Sequence, residues 1–281
     1  MKRTLSALFK DPYKSPHGRV EEFEVAGRRY QAFVPNGVNA DSPLLITHDA
    51  QSYLLDVRKT WNGMNWGVIE ALNQNRITNH ATRGLPLIVS VHLTASNLRL
   101  NDLAPEDFMA RNPGFWQAAL ERFKPASDDL LGNDYIDDVA TNLLPELTRR
   151  YGIKPTRAAT AIAGSSMGGL ASLYAMGRHP GVFGAALAYS THWVIGENPL
   201  VEYLLNRIPN DGKHIIWSDR GDLELDATYE PFHKHAEHLL EKAGWERDTN
   251  YITAVFYGTA HREDYWARRI ELPINWWLTK V

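Results

Sequence analysis

The segment Gly164-Ser165-Ser166-Met167-Gly168 has the spacing G-x-S-x-G, and Ser166 is its central serine. Ser165 does not fit this spacing, because Ala163 would then occupy a glycine position. A β-type run, "AATAIAG", ends at Gly164, and a helix-type run, "MGGLASLYAMGRH", begins after Ser166. A serine on such a strand–turn–helix turn can act as a nucleophile, and the Met167 backbone N–H at the helix start can bind a developing oxyanion. The alternative is a glycine-rich turn without chemistry.

The two glycines of this segment have a steric role in the catalytic interpretation. The sharp turn brings the strand and the helix close together on either side of the serine. We therefore expect a Cβ atom at Gly164 or at Gly168 to collide with its neighbours.

A serine hydroxyl is a weak nucleophile, so Ser166 needs a general base, usually histidine, and a carboxylate that orients the base. In the chain order of α/β-hydrolases the acid and then the histidine follow the serine, each after a later strand. Of the histidines downstream of Ser166, only His261 follows the last predicted strand, "YITAVFYG". His261 is therefore the predicted base.

The acid is expected in the loop "RGDLELD", which follows the predicted strand "KHIIWSD". Asp219 ends that strand, and the loop carries Asp222, Glu224 and Asp226. Position alone does not choose among these four carboxylates, and each could also be an ordinary solvated side chain.

The histidine-rich stretch "HKHAEH" invites a metal interpretation. On a helix, however, His233 and His235 project about 200° apart and cannot share one ion. We interpret the stretch as a solvated helix face, and we predict neither a metal site nor an organic cofactor.

Composition excludes several other classes of protein. The 281 residues include 30 Lys plus Arg against 33 Asp plus Glu, a balance that predicts no nucleic-acid or anionic-lipid partner. The chain has no cysteine, which excludes disulfides, thiolate metal sites and a cysteine nucleophile. The uncharged residues 158–177 are mostly small and too weakly apolar for a membrane span. The first apolar stretch breaks at Lys10 and Asp11, which predicts no signal peptide and a cytoplasmic location.

Strand and helix patterns alternate along the chain. "PLLITHD" (43–49) and "PLIVSVHLT" (86–94) are continuous apolar runs, typical of strands buried on both faces of a sheet. "VEEFEVAG" and "RRYQAFVP", joined near Gly27, alternate apolar with polar residues as an antiparallel hairpin does. "DYIDDVATNLLPELTRRYGI" predicts a helix kinked at Pro145, and "REDYWARRIELPINWWLTK" predicts one final helix. The sequence therefore predicts a single α/β domain over residues 1–281, with a mostly parallel central sheet flanked by helices and the hairpin at one edge.

Residues 101–133 have the least regular pattern, with Phe108, Phe115, Trp116 and Phe123 among prolines and aspartates. One interpretation is a lid or substrate-wall insertion. The other is a loop-rich surface segment with its own small apolar cluster.

From about Pro43 onward the chain resembles the putative-esterase family of α/β-hydrolases, which includes enterochelin esterases, S-formylglutathione hydrolase, feruloyl esterases and mycolyltransferases. "PLLITHDAQSYL" is similar to the family's L-L-D-G-Q segment, and "RLNDLAP" to its R-x-x-E-L-x-P. The most similar stretch is "AGSSMGGLASLYAMGRHPGVFGAALAYSTHW", and "GTAHREDYWARRI" is similar to the family's G-x-H-x-x-x-x-W.

The resemblance implies the same nucleophile and base, Ser166 and His261. It places the acid three residues after a glycine in a G-x-x-[DE] loop, which is Glu224 after Gly221, with Asp226 and then Asp222 as alternatives. It implies a second oxyanion donor at the backbone N–H of Gln51, although the preceding residue, usually glycine in the family, is alanine here.

The implied activity is that of a serine carboxylic-ester hydrolase that acts on a small-molecule ester through an acyl-enzyme. Two alternatives use the same sequence features: an acyltransferase, in which an alcohol replaces water, and a non-catalytic α/β-hydrolase-like binding domain.

Overall fold

The computed structural model describes residues 15–53, 64–78 and 83–281. Within these ranges eight strands form one sheet in the order β1-β2-β4-β3-β5-β6-β7-β8. The strands are β1 (Gly18–Val25), β2 (Arg28–Pro35), β3 (Leu44–Thr47), β4 (Leu87–Val91), β5 (Thr160–Ser165), β6 (Ala185–Tyr189), β7 (Ile215–Gly221) and β8 (Tyr251–Phe256).

The first two strands form the predicted hairpin at one edge of the sheet. β1 pairs antiparallel with β2 in a register that runs from Gly18 opposite Pro35 to Val25 opposite Arg28. The two connecting residues, Ala26 (φ 49°) and Gly27 (φ 85°), both have positive φ, as tight two-residue hairpin turns require. β2 also pairs antiparallel with β4, whereas the pairs from β4 through β8 are parallel.

The parallel part of the sheet is covered on both faces. Every residue of β3, β4, β5, β6 and β7 is buried, which explains why β3, β4 and β6 are almost entirely apolar. Two separate apolar clusters lie on the two faces, one packed mainly under α-helices of the middle of the chain and one under the C-terminal helices. The predicted α/β architecture with a mostly parallel sheet is confirmed.

The helices are, in chain order, α1 (Ala50–Tyr53), α2 (Val68–Asn73), α3 (Arg99–Leu103), α4 (Glu106–Arg111), α5 (Pro113–Phe123), α6 (Gly132–Asp138), α7 (Leu144–Tyr151), α8 (Met167–Arg178), α9 (Glu197–Leu205), α10 (Glu224–Ala227), α11 (Glu230–Lys242), α12 (Glu263–Ala267) and α13 (Glu271–Leu278). In the described part of the chain, no helix is both long enough and apolar enough to cross a bilayer.

Prolines shape two of the helical regions. A π-helical turn, Val139–Leu143, joins α6 to α7 just before Pro145, which cannot donate the usual backbone hydrogen bond. The predicted single C-terminal helix is wrong, because α12 ends at Ala267 and α13 begins at Glu271. Pro273 then lies in the first turn of α13, where a missing N–H costs little.

One further expectation fails in the middle of the chain. Residues 101–133 are mainly helical, in α3, α4 and α5, rather than irregular. Phe108 and Trp116 belong to the core there, whereas Phe123 at the end of α5 is exposed. The sequence interpretation also missed α9, which buries Leu200, Val201 and Leu204.

Candidate active site

Ser166 lies on the sharp turn between β5 and α8. Its backbone has φ 58° and ψ −119°, a conformation that side-chain-bearing residues rarely adopt. The turn is held because the Ser166 N–H donates to the Tyr189 carbonyl at the end of β6, at 2.9 Å. The strained turn leaves the serine between the carboxyl end of the sheet and the start of a twelve-residue helix, the geometry that the G-x-S-x-G pattern predicts.

The glycines around this turn differ in how much space there is for an added Cβ atom. A Cβ at Gly164 would lie 2.7 Å from the Gly168 carbonyl carbon, so this position requires glycine. The expected collision at Gly168 is wrong, because a Cβ there would lie 3.4 Å from the nearest atom, the Cβ of His48. The tight position in the helix is Gly169, where a Cβ would lie 2.8 Å from Thr191 Oγ1.

His261 follows β8, and its ring contacts a buried carboxylate. His261 Nδ1 lies 2.6 Å from Oδ1 of Asp226, whose side chain is fully buried. The other oxygen of Asp226 accepts hydrogen bonds from Ser190 Oγ and from the Gly221 N–H, each at 2.6 Å. Burial raises the pKa of Asp226, but the hydrogen bonds from His261, Ser190 and Gly221 and the charge of His261 outweigh burial and lower the pKa overall. Asp226 is therefore a carboxylate that can hold and charge-stabilise the histidine ring.

The prediction that Glu224 contacts His261 is wrong. Glu224 is exposed and begins the short helix α10 with a positive φ of 52°. Two residues later the helix turns Asp226 inward, where its carboxylate reaches back to the Gly221 N–H. Asp222, the other alternative, accepts a hydrogen bond from the Gly258 N–H and so ties the β7 loop to the β8 loop.

A buried polar network holds the Asp226 oxygen that does not contact His261. The sequence analysis did not identify this network. Ser190 Oγ, which donates to Asp226, accepts hydrogen bonds from Trp266 Nε1 at 2.9 Å and Arg269 Nη2 at 3.1 Å. Arg269 also pairs with Asp219, at 2.9 Å. Asp219 was one of the four candidate acids, but its carboxylate is occupied by Arg269 rather than by His261. The available signal for Trp266 was its position five residues after His261, which matches the G-x-H-x-x-x-x-W segment of the family that the chain resembles.

Aromatic rings fix the plane of the His261 imidazole. The Trp266 ring is nearly perpendicular to it, with ring centroids 5.0 Å apart. The Tyr229 ring is also nearly perpendicular, at 5.6 Å, and the ring of His192 lies at 6.5 Å. The histidine is thus oriented by Asp226 at one nitrogen and by the two perpendicular rings of Trp266 and Tyr229.

The predicted oxyanion donors lie on two helix starts. Met167 is the first residue of α8, and Gln51 lies in α1 directly after Ala50. The first N–H groups of a helix have no partner within it and carry partial positive charge. Alanine in place of the family's glycine is tolerated because Ala50 begins the helix, whereas the positive φ, 56°, occurs at the preceding Asp49.

Arg99 ties the Gln51 loop to the serine turn. Its guanidinium pairs with both carboxylate oxygens of Asp49, at 2.7 and 2.6 Å, and Nη2 also donates to the Ser165 carbonyl at 3.4 Å. The Asp49 carboxylate would lie 3.6 Å from a Cβ at Gly168, so the loop lies directly against the start of α8.

The histidine-rich stretch lies on α11 and is not the solvated face that we expected. His233 is buried, and burial lowers its pKa to about 3. His235 contacts Glu202 at 3.0 Å on the neighbouring α9. Across residues 15–53, 64–78 and 83–281, no group of three or more potential ligands is placed to hold a metal ion.

A scan of protein-family models matches residues 111–271 to the Putative esterase family. Because this match covers more than half of the chain, the chain belongs to that family, which is an esterase family of the α/β-hydrolase type. No curated protein matches the chain.

Several solved structures share the fold. The enterobactin esterase FES from Shigella flexneri, in the presence of enterobactin, gives a TM-score of 0.65 with 16% identity over 96% of this chain and 61% of that chain. A ferulic acid esterase gives 0.62 with 16% identity over 94% of this chain and 98% of its own. The enterobactin and salmochelin hydrolase IroE gives 0.59 with 18% identity over 93% and 97%. The chain spans about 60% of the length of the FES structures. At these identities the likeness shows the fold alone.

Proposed function

We propose that this protein is a serine carboxylic-ester hydrolase in which Ser166 is the nucleophile, His261 the general base and Asp226 the acid. The observation that carries the proposal is the 2.6 Å contact between His261 Nδ1 and the fully buried Asp226. A histidine held in this way presents its other nitrogen, Nε2, for proton transfer. Ser166, His261 and Asp226 follow β5, β8 and β7, so all three lie at the carboxyl end of one sheet.

The proposed reaction has two halves. In the first, Ser166 Oγ attacks the ester carbonyl carbon while His261 Nε2 takes the hydroxyl proton, and the Asp226 carboxylate stabilises the resulting imidazolium. The Met167 and Gln51 N–H groups bind the oxyanion of the tetrahedral intermediate. His261 then gives the proton to the departing alcohol, leaving Ser166 acylated. In the second half, water attacks the acyl-enzyme by the same proton transfers and releases the acid, and no step requires a metal or cofactor.

We propose a small-molecule ester as the substrate, with residues 101–133 as one wall of its site. At the end of α5 the exposed Phe123 ring lies 5.7 Å from His192, which itself neighbours His261. The Arg122 guanidinium covers the same ring at 5.3 Å. Such an aromatic surface beside a cation suits an apolar or aromatic ester group. Two structural neighbours are named for enterobactin and for ferulic acid esters, and both compounds belong in the substrate panel that tests this wall.

The decisive experiment is Ser166→Ala, assayed with an aryl ester and with a fluorophosphonate probe. We expect kcat to fall by about 10⁶-fold, because the members of a triad act as a unit. Wild-type protein should incorporate one probe molecule at Ser166, and the variant should incorporate none. Near-normal turnover by a folded Ser166→Ala variant would reject the assignment.

A further inference from the structure

A tyrosine and a second histidine lie beside Ser166 and have no role in the triad. The hydroxyl of Tyr229 lies 2.6 Å from His192 Nδ1, and both side chains are buried. The His192 backbone N–H donates to the Ser166 carbonyl at 3.2 Å. The Tyr229 N–H donates to the Asp226 carbonyl at 3.1 Å. The pair is therefore anchored through its backbone to both the nucleophile and the acid.

The Tyr229 side chain also reaches the reacting groups. Its ring packs perpendicular to His261, with centroids 5.6 Å apart. Burial and the Asp226 charge raise the pKa of the Tyr229 hydroxyl, and a hydrogen bond with the Ser166 side chain opposes that rise. Either hydroxyl can donate in such a contact. Because the net change is a rise, Tyr229 keeps its proton at neutral pH.

The environment of His192 indicates which way these hydrogen bonds run. Burial lowers the pKa of His192 to about 3, so the ring is neutral and carries one proton. Its Nε2 is buried and has no hydrogen-bond partner among the described residues. Buried N–H groups without a partner are rarer than buried acceptors without one, so the proton belongs on Nδ1. Nδ1–H then donates to the Tyr229 oxygen, which leaves the Tyr229 O–H free to donate elsewhere.

We propose that Tyr229 is a further catalytic residue, whose hydroxyl donates a hydrogen bond to Ser166 Oγ, and that His192 is the positioning residue that aims it. This inference rests on the proposed esterase function. As His261 removes the Ser166 proton, negative charge grows on Oγ, and the Tyr229 O–H stabilises it. The same donor acts again when the bond between Oγ and the acyl carbon breaks in the second half of the reaction. Tyr229 keeps its own proton throughout, because the proton that His261 delivers to Oγ in this step is the one that it took from the attacking water.

The first test is Tyr229→Phe, which removes the hydroxyl and keeps the ring. We expect kcat to fall about 10- to 100-fold, the usual effect of one hydrogen bond to a charged group, with KM within about twofold of wild type. The rate of inactivation by a fluorophosphonate should fall by a similar factor, since it reports on Ser166 without the substrate.

The matched control is Tyr30→Phe. Tyr30 is also fully buried, and its hydroxyl bonds Asp138 at the same distance of 2.6 Å, but it lies on β2, separated from β5 by β4 and β3. We expect this variant to lose thermal stability and to keep kcat and the inactivation rate.

The second test uses two substitutions of similar size at His192. Asparagine can place an amide nitrogen near the position of Nδ1, whereas leucine cannot. We expect His192→Leu to match Tyr229→Phe in kcat and His192→Asn to recover most of the loss. The double variant Tyr229→Phe/His192→Leu should be no more than about twofold worse than either single variant, because the two residues act as one unit.

The outcomes separate this inference from the proposed function. If wild-type Ser166 does not react with the probe, the proposed function fails. Suppose instead that wild-type Ser166 reacts with the probe, and that the inactivation rate and kcat of Tyr229→Phe are both within about twofold of the wild-type values. Then only the role of Tyr229 is overturned. An equal activity loss in Tyr30→Phe would also overturn it. If Tyr229→Phe does not fold, the two His192 variants serve as the test. Equal kcat values for His192→Asn and His192→Leu would then overturn the proposal.

Discussion

The two sides of Ser166 are held in different ways. We call the group that orients His261 the acid side, and it consists of Ser190, Asp219, Asp226, Trp266 and Arg269. Here every polar side chain is buried and bonded to another member, and the Arg269–Asp219 ion pair exposes only 3% and 0% of its two side chains. Buried ion pairs contribute little net stability, but breaking one leaves a costly unpaired charge, so the group has one arrangement.

The group that carries the Gln51 N–H is the loop side, and it consists of Asp49, Gln51 and Arg99. Its ion pair exposes 34% of Arg99 and 8% of Asp49, so one partner remains in contact with solvent. Contact with solvent screens this ion pair more than the buried Arg269–Asp219 pair. The comparison teaches that His261, the proposed base, is held by a closed network, whereas the Gln51 N–H, the proposed oxyanion donor, depends on one partly exposed arginine.

The largest expected effect is that of Asp226→Asn. Asparagine keeps the shape but lacks the charge, and it favours the wrong histidine tautomer, so we expect kcat to fall about 10⁴-fold. KM should change far less, since Asp226 is buried behind His261. Steady-state kinetics with an aryl ester checks this, with thermal melting to show that the variant is folded. A loss smaller than about tenfold would contradict the assignment of Asp226 as the acid.

A smaller effect is expected on the loop side, from Arg99→Met. Losing the bidentate contact frees Asp49 and displaces the Gln51 N–H, and a complete loss of one oxyanion donor costs about 10²- to 10³-fold. Because the loop is displaced rather than removed, we expect kcat to fall about 10- to 100-fold. Arg99→Lys should be intermediate, because lysine keeps the charge without the two-pronged geometry.

The control for Arg99 is Arg76→Met. Arg76 pairs with Glu271 at 2.6 Å, with 29% of its side chain exposed, and the pair joins the segment that follows α2 to the start of α13. This variant should keep kcat. If it loses as much activity as Arg99→Met, the loop side has no special role.

The pKa values of three buried histidines, His48, His192 and His233, allow a prediction of how the free energy of unfolding depends on pH. Burial lowers the pKa of His48, beside the loop side, to about 4, and those of His192 and His233 to about 3. In the unfolded chain these histidines titrate near about 6.5, so below that pH the unfolded state binds protons that the folded state does not. The free energy of unfolding should therefore fall as the pH drops from about 6.5 to about 4.5, by about 1.4 kcal/mol per pH unit for each histidine.

Urea denaturation at several pH values measures this slope. His233→Leu should lower this slope by about 1.4 kcal/mol per pH unit, whatever its effect on stability at pH 7. An unchanged slope in that variant would show that His233 does not titrate as the structure implies.

Much of the fold and part of the site could be predicted from the sequence. Apolar runs reveal strands that are buried on both faces, and the serine turn has a steric requirement that only glycine at position 164 meets. The position of His261 follows from chain order, because each loop at the carboxyl end of a parallel sheet comes after its own strand. These features depend on residues that are close together in the chain, so a short sequence pattern is enough to predict them.

The remaining features depend on contacts between distant segments. Tyr229 and His192 are 37 residues apart and meet only because the turn between α10 and α11 packs against the loop after β6. The network of Ser190, Asp219 and Arg269 likewise joins three separate segments: the loop after β6, the end of β7 and the turn between α12 and α13. Spacing in the sequence also cannot show which carboxylate of a loop faces the interior. In the short helix α10, Glu224 faces solvent and Asp226, two residues later, faces His261.

The smallest expected effect is that of Glu224→Gln, and it sharpens the comparison because Glu224 occupies the family position of the acid. Glu224 is exposed, whereas Asp226 has no exposed surface and contacts His261 at 2.6 Å. Glutamine keeps the size of the side chain and removes the charge, so we expect kcat to stay within about twofold of wild type. The two substitutions lie two residues apart in one loop and remove the same charge. A difference of about 10⁴-fold between them would therefore come from which side chain α10 turns toward the histidine. A large loss in Glu224→Gln, with Asp226→Asn nearly unaffected, would reverse the assignment of the acid.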